Sequence, residues 1–252
     1  MTIDPLDDAR TQIKRAKKKI KQLGTFVHNY AFRQPYRMIV EHDVAARKKV
    51  ARLRIVEGIP DDADDSATAV LQHLRSALDY IAWAVANRSG VPAKPKSVAF
   101  PIYDDTGQTL GDAKEKRKIE QVGGLDWYAF LVAMKPYEGG NDLLHALNET
   151  NNVEKHRHLV QIGSVAGPTG KFEASLDSTM SFNAAMFIGP LEDGMELVTV
   201  TDSQADPKVT ITAQIALRGI QRFERQPVVM TLNQFTNAVE DILTEARRTF
   251  FP

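Results

Sequence analysis

Residues 66–88 read SATAVLQHLRSALDYIAWAVANR, and this stretch decides the fold. Its main apolar stripe recurs at the three- and four-residue steps of an α-helix, and further apolar side chains cover much of the other side. A helix that is apolar on most sides belongs at the centre of a fold. The stripe consists of Val70, Leu71, Leu74, Leu78, Ile81 and Val85, and the second set of Ala77, Tyr80, Trp83 and Ala84.

The N-terminal segment predicts another amphipathic helix. Asp4 is placed to cap its first turn, and Gly24 is expected to end the helix or to loosen its last turn. A seam of this kind packs either on its own domain or against a second copy in a dimer, and both alternatives stand at this point. The seam consists of Leu6, Ala9, Ile13, Ala16, Ile20, Leu23 and Val27.

The remaining segments complete an α+β pattern: an N-terminal helix and β-hairpin, a central helical bundle, a C-terminal antiparallel sheet and a closing helix. Alternating apolar residues predict a hairpin over residues 37–56, and Asp193-Gly194 predicts a hairpin turn before a strand at 195–201. Thr231 is expected to cap the last helix. Further helices are predicted at 110–122, 125–134 and 142–158. We treat residues 1–252 as one domain, with a helical core at about 61–158, mainly antiparallel strands at 159–230 and the closing helix at 231–250.

The composition excludes several functional classes. The 252 residues include 32 basic and 32 acidic side chains and no cysteine, which excludes disulfides, thiolate metal sites and cysteine nucleophiles. No apolar run reaches the roughly 20 residues of a membrane-spanning helix, and the first residues lack the apolar stretch of a secretory signal. The motifs of phosphate loops, dinucleotide folds, nucleophile elbows and zinc proteases are missing. We therefore expect a cytoplasmic protein with no cofactor and no membrane partner.

Charge is divided unevenly along this neutral chain. Residues 1–54 carry 14 basic and five acidic side chains, a net charge of +9, and the rest of the chain carries −9. Six of the basic residues lie between positions 14 and 21. The asymmetry fits either a surface that faces nucleic acid or a basic segment that contacts acidic neighbours. For charge runs in general the second interpretation is favoured.

The helix predicted at 142–158 carries the first candidate site. Its leucine face continues into amides, an acid and imidazole, and residues 154–158 read EKHRH. Histidine exchanges protons near neutral pH, and Lys and Arg bind phosphate or carboxylate. A solvated helix end is the alternative interpretation. The candidate catalytic residues are His156 and His158, and the candidate ligand-binding residues on this helix are Asn151, Glu154, Lys155 and Arg157.

A charged pair on the central helix is the second candidate site. Arg75 and Asp79 are one helical turn apart, and charged groups on so apolar a helix must be paired or directed into a cleft. One interpretation is a structural ion pair that orients two helices. The other is a polar pocket in which Arg75 contacts an anionic ligand, Asp79 orients it, and a histidine from residues 154–158 moves a proton.

The pattern for a metal site is weak. His145 and Glu149 form a bare H-x-x-x-E pair without a matching second motif. We therefore predict no metal site, and a metal hydrolase built from His145, Glu149 and His156 is kept as a third hypothesis.

Three motifs together resemble an uncharacterised bacterial protein family: LRSALDY at residues 74–80, FPI at 100–102 and LNETNNVEKHR at 147–157. The family carries LRSALD(H/Y) and LNxxNNx(D/E)KHR motifs, and the resemblance covers roughly residues 60–160. The central helix is also similar, more remotely, to HEPN domains, helical modules that include metal-independent ribonucleases with an Arg-x4–6-His signature. Arg75 matches the arginine of that signature, whereas Tyr80 stands at the position of its histidine.

Two functions from different classes follow. The first is binding of an anionic ligand, RNA or a nucleotide, in a polar pocket between two central helices. The second is a non-catalytic interaction or assembly protein, in which the polar cluster is a structural network and the N-terminal helix forms a homodimer. The pocket predicts a histidine within hydrogen-bond reach of Arg75 or Asp79 in an open cleft. The assembly protein predicts that these groups are fully paired and closed to solvent.

Overall fold

The structure, a computed structural model, describes residues 4–90, 98–152, 159–166, 172–174, 178–180, 187–201, 210–218, 222–223 and 225–252. Over these residues the chain is an α+β protein, which confirms the predicted fold class. The helices are α1 (Asp7–Phe32), α2 (Asp61–Arg88), α3 (Gln108–Gly111), α4 (Ala113–Met134), α5 (Asp142–Asn152) and α6 (Val228–Phe250). The strands are β1 (Tyr36–Asp43), β2 (Lys48–Ile55), β3 (Leu159–Ala166), β4 (Phe172–Ala174), β5 (Ser178–Met180), β6 (Phe187–Pro190), β7 (Glu196–Thr201) and β8 (Thr210–Leu217).

The chain divides into two compact units. The helical unit comprises Met1–Leu23, Asp64–His158 and Val229–Pro252, and the strand unit comprises Gly24–Ala63 and Leu159–Val228. The single domain predicted for residues 1–252 stays a prediction. Within the described ranges, no helix combines the length and the apolarity that crossing a bilayer requires.

The core of the helical unit forms around α2, as its sequence predicts. All six residues of the main stripe of α2 are buried. Beside it, Trp127 stacks on Phe130 with ring centroids 5.3 Å apart and meets the edges of Phe100 and Phe250 at 5.8 Å. Four aromatic rings thereby fix the segment around Phe100 and the end of α6 in one apolar cluster.

Helix α1 confirms its predicted start and corrects its predicted end. The N–H of Leu6 donates to Asp4 Oδ1 at 3.0 Å, so Asp4 caps the first turn. The expectation that Gly24 ends or loosens the helix is wrong, because α1 continues to Phe32. Beyond the glycine, Tyr30 is buried and its hydroxyl donates to the carbonyl of Glu57 at 2.7 Å. Burial of this kind offsets the roughly 1 kcal/mol that a glycine costs inside a helix.

The seam of α1 is covered by the chain itself. From Leu6 to Leu23, every seam residue is at most 5% exposed in the single chain. These six residues pack within the single chain, whereas Val27, the last residue of the seam, is half-buried. The burial of these residues does not favour the homodimer predicted through the N-terminal helix, which stays a prediction.

Three further helix predictions have different outcomes. The break predicted at Gly123-Gly124 is confirmed, since Gly124 has φ 76° and ψ −170° and interrupts α4. The prediction that Thr231 caps the last helix is wrong, because α6 begins at Val228, after Pro227, and buries Thr231 completely. Of the helix predicted at 142–158, α5 accounts for Asp142–Asn152, and residues 153–158 lie outside the described part of the chain.

The described strands of the strand unit form antiparallel sheets with the orders β1-β2-β7, β6-β3-β8 and β4-β5. The predicted hairpin is confirmed as β1 and β2, with Met38 opposite Leu53. The hairpin across Asp193-Gly194 is wrong: a turn forms there, but β6 pairs with β3 and β7 with β2. The turn instead attaches to β2, where the Gly194 N–H donates to the Leu53 carbonyl and the Leu53 N–H donates to the Met195 carbonyl, each at 2.8 Å.

Candidate functional site

Arg75 and Asp79 hold the Phe100 segment against α2, and we call this arrangement the Arg75–Asp79 clamp. Arg75 Nη2 donates to the Phe100 carbonyl at 2.8 Å, and the Phe100 N–H donates to Asp79 Oδ1 at 2.9 Å. The two side chains are 3.4 Å apart at Nη2 and Oδ1. Phe100 is fully buried, so these bonds satisfy a backbone donor and acceptor that the apolar cluster surrounds. The predicted i,i+4 pair thus has a structural task.

The electrostatics of the clamp disfavour a strong attraction for anions. Burial raises the pKa of Asp79, while the charge of Arg75 and the hydrogen bond from the Phe100 N–H act in the opposite direction. The side chain of Arg75 is 18% exposed and that of Asp79 is 37% exposed. When Asp79 is ionised, its carboxylate beside the guanidinium cancels most of the positive potential that an anionic ligand would feel.

One atom of the clamp lacks a partner among the residues that the structure describes. Arg75 Nη1 is buried and makes no hydrogen bond there. A buried donor without an acceptor costs about 1–3 kcal/mol. This atom is therefore the feature of the clamp that points to an additional acceptor.

The other predicted site residues are not brought to the clamp within the described ranges. Asn151 lies half-buried on α5. Glu154, Lys155, His156, Arg157 and His158 lie outside the described residues. The predicted meeting of a histidine with Arg75 therefore stays a prediction, and so does the similarity to HEPN ribonucleases.

His145, the histidine of the H-x-x-x-E pair on α5, lies within 4 Å of two carboxylates. Its Nε2 lies 3.8 Å from Asp104 Oδ1, and its Nδ1 lies 3.9 Å from Glu149 Oε2. Across the described ranges, no group of three or more His, Cys, Asp or Glu side chains is arranged to hold a metal ion. The third member of the hypothetical metal site, His156, lies outside those ranges.

A row of exposed lysines on α1 is the other concentration of charge in the helical unit. Lys14, Lys17, Lys18 and Lys21 follow one another at steps of three, one and three residues, which places them on one face of the helix. We call this row the α1 lysine stripe. All four are exposed and lie off the buried seam. The stripe therefore presents positive charge on the exposed side of α1.

The positive charge of the α1 lysine stripe is only partly paired among the described residues. Lys17 Nζ contacts Glu240 Oε1 of α6 at 2.7 Å. Lys14 and Lys18 have no ion-pair partner in the part of the chain that the structure describes. Like charges three or four residues apart destabilise a helix by about 0.2–0.5 kcal/mol per pair. The stripe therefore works against the stability of α1, and the buried seam offsets its cost.

His73 of α2 lies near two basic residues of α1 outside the stripe, Arg15 and Lys19. Its Nδ1 lies 2.8 Å from Gln12 Oε1 of α1. Burial lowers the pKa of His73, and the positive charges of Arg15 and Lys19 lower it further. The basic residues of α1 thus act on a neighbouring helix and disfavour a further positive charge there.

A groove between the end of α4, the start of α5 and α6 was not predicted from the sequence. Its volume is about 500 Å³, and it is lined by Met134, Leu143, Asp241 and Glu245 among others. No local signal could have found it, because three helices that are distant in sequence contribute its walls. Its two acidic residues make it unsuitable for an anionic ligand.

Comparisons of the chain with protein-family models, with curated proteins and with solved structures give no match. The sequence favoured the Arg75 cluster over the basic run at residues 14–21. In the structure, the positive charge of Arg75 is paired within the clamp, whereas the α1 lysine stripe is exposed.

Proposed function

We propose that the protein binds the phosphate backbone of a polynucleotide, such as RNA, along the α1 lysine stripe. The observation that supports this function is the row of four exposed lysines on one helical face, with Lys14 and Lys18 lacking an ion-pair partner among the described residues. Lysine ammonium groups are strongly hydrated point charges that attract phosphate without reading base sequence. Binding is accordingly electrostatic and independent of sequence.

The length of the stripe favours a polynucleotide over a mononucleotide. At 1.5 Å per residue, positions 14 and 21 are separated by about 10 Å along the helix axis. Lysines distributed over this distance contact several consecutive phosphates, and each contact releases a condensed counterion from the nucleic acid. A mononucleotide offers one phosphate chain and engages only part of the row.

A salt series of fluorescence anisotropy measurements tests the proposal. The ligands are labelled single-stranded RNA, single-stranded DNA and duplex DNA, with ATP as an unlabelled competitor. The test variant carries Lys14→Gln, Lys17→Gln, Lys18→Gln and Lys21→Gln. We expect its affinity at low salt to fall at least about tenfold, and the slope of log K against log salt to become shallower by about 3 for a single strand.

A control variant on α4 removes the same amount of charge from the same unit. It carries Lys114→Gln, Lys116→Gln, Arg117→Gln and Lys118→Gln. In this run, Lys116 and Lys118 are paired with Glu120 and Glu115 at 3.7 and 2.7 Å. We expect the control to keep most of the affinity. Equal losses in both variants, or no loss in the α1 variant, would show that the stripe is not the binding surface.

The pocket predicted beside Arg75 is a second candidate, favoured by the buried Nη1 without a described partner. An anionic ligand in this pocket would supply the acceptor. Arg75→Lys keeps a positive donor for the Phe100 carbonyl but removes the guanidinium fork. If the ligand binds here, this variant weakens ATP and RNA binding alike, whereas the α1 variant leaves ATP binding intact. RNA cleavage that disappears in His156→Ala or His158→Ala would add the proposed acid–base role.

A further inference from the structure

Strand β1 is an edge strand whose backbone has one open side within the described part of the chain. It pairs with β2 and with no other described strand. The N–H of Val56 donates to the carbonyl of Pro35, whereas Leu53 makes its backbone bonds toward the β7 side. In an antiparallel ladder these directions alternate from residue to residue. The N–H and C=O groups of Met38 and Val40 therefore point away from β2.

The side chains on the outer face of β1 have a self-complementary order. Arg37, Ile39 and Glu41 are all exposed, and Ile39 is an apolar side chain that is 45% exposed. Arg37 lies opposite Arg54, which is itself paired with Asp193 at 2.8 Å. Among the described residues Arg37 has no ion-pair partner. Its position opposite a second arginine is unfavourable within one chain, because like charges across a strand pair repel.

We propose that β1 pairs antiparallel with β1 of a second copy of this chain, about a two-fold axis at Ile39. In this register Ile39 lies opposite the partner's Ile39, and Arg37 lies opposite the partner's Glu41 on both sides of the axis. Met38 exchanges two backbone hydrogen bonds with the partner's Val40. One symmetric contact thus satisfies the open edge and the unpaired arginine. Glu41 contacts Arg52 of its own chain through Oε2 at 2.9 Å, but its side chain is 60% exposed and its other carboxylate oxygen is left for the partner's Arg37.

The side chains select this register over its neighbours. Hydrogen-bond directions allow the two-fold axis to move only one residue at a time along β1. An axis at Met38 places Arg37 opposite the partner's Ile39, and an axis at Val40 places Ile39 opposite the partner's Glu41. Both alternatives set a charge against an apolar side chain. The axis at Ile39 instead sets isoleucine against isoleucine and arginine against glutamate.

We expect the contact of two paired strands to bury less than the roughly 1,000 Å² that is typical of a stable interface. The dimer should therefore be weak and should form only at high protein concentration. Sedimentation velocity of the full chain from about 1 to 500 μM measures it, without nucleic acid present. The single variants are Arg37→Glu and Glu41→Arg, and the matched control is the double variant that carries both changes. Circular dichroism melting checks the fold of each, because Glu41→Arg also removes the 2.9 Å contact between Glu41 and Arg52.

The charge swap gives the proposal a clear outcome. We expect the wild type to dimerise with rising concentration. The dissociation constant of each single variant should be at least about tenfold higher, because two like-charge pairs then face each other across the interface. The double variant restores opposite charges and is expected to recover the wild-type dissociation constant. A wild type that stays monomeric throughout, folded single variants that dimerise like the wild type, or a double variant that stays weak would overturn the proposal. The α1 lysine stripe is left unchanged in all four proteins, so this outcome is separate from nucleic-acid binding.

Discussion

The Arg75–Asp79 clamp and the α1 lysine stripe both place positive charge in the helical unit, but the clamp keeps it mostly buried and the stripe exposes it. The Arg75 side chain is 18% exposed, contacts a carboxylate and donates to a buried carbonyl. The lysines of the stripe are exposed, and Glu240 is the carboxylate seen to contact one of them, Lys17. A buried charge must be neutralised within the fold, because burial without partners costs several kcal/mol. Exposed charge has no such requirement and is free to attract a partner.

This difference gives each region a distinct signature under mutation. Substitutions in the clamp should act on folding, since its groups satisfy each other and the backbone of Phe100. Substitutions in the stripe should act on binding and leave folding intact or improve it. Experiments that measure both quantities on the same variants therefore test the comparison itself.

The largest expected effect is the loss of stability in Arg75→Ala. This change leaves the Phe100 carbonyl without its donor and Asp79 without its cation, so we expect the free energy of unfolding to fall by about 2 kcal/mol. Urea unfolding followed by circular dichroism measures the change. Lys18→Ala is the matched control from the stripe, and its effect should stay within about 0.5 kcal/mol.

A clamp that does not stabilise the fold would give a different result. If Arg75→Ala and Lys18→Ala changed the free energy of unfolding equally, burial would not distinguish the two regions. The comparison between them would then fail at its first step.

The intermediate effect is a gain of stability in the α1 variant with four Lys→Gln changes. Six like-charge pairs at three- and four-residue spacing are removed, four among the lysines themselves and one each with Arg10 and Arg15. Their removal should raise the free energy of unfolding by about 1 kcal/mol in low salt. Glutamine has a helix propensity close to that of lysine, so propensity adds little. The loss of the contact from Lys17 to Glu240 subtracts a small amount.

Salt provides the control for this prediction. Because the repulsion is between exposed charges, the gain should disappear at about 1 M salt, where the screening length falls to roughly 3 Å. A gain that persists at high salt would show a cause other than charge, and a loss of stability in low salt would show that the lysines are paired more fully than we infer.

Local signals in the sequence were sufficient for several elements of the fold. The apolar stripe of α2, the alternation of β1 and β2 and the helix-breaking Gly124 each act within a few neighbouring residues, and each prediction is confirmed. Gly24 and Thr231 were misread because tertiary burial, of Tyr30 in one case and of Thr231 itself in the other, overrode the local preference.

The candidate site was less accessible to sequence reasoning. The spacing of Arg75 and Asp79 predicted their pairing, but their third partner is a backbone segment at Phe100, which no side-chain pattern identifies. The pairing of the turn at Asp193-Gly194 with β2 was equally hidden, because the choice between two possible neighbouring strands is made by the whole sheet. Exposure of the lysines was implied by the helical period, whereas the lack of an ion-pair partner for Lys14 and Lys18 among the described residues became evident only in three dimensions.

The smallest expected effect is a change in the pKa of His73 when RNA binds. Burial and the charges of Arg15 and Lys19 lower this pKa, so stability should decline as the pH falls below the ordinary histidine value of about 6.5, where the unfolded chain takes up the proton first. Phosphates held along α1 oppose those charges and should therefore raise the pKa of His73.

NMR titration of its ring protons with and without RNA measures the shift. Arg15→Gln with Lys19→Gln should raise the pKa without RNA and reduce the shift on binding, but burial keeps it below the ordinary value. RNA that binds without moving this titration would place the phosphates away from α1.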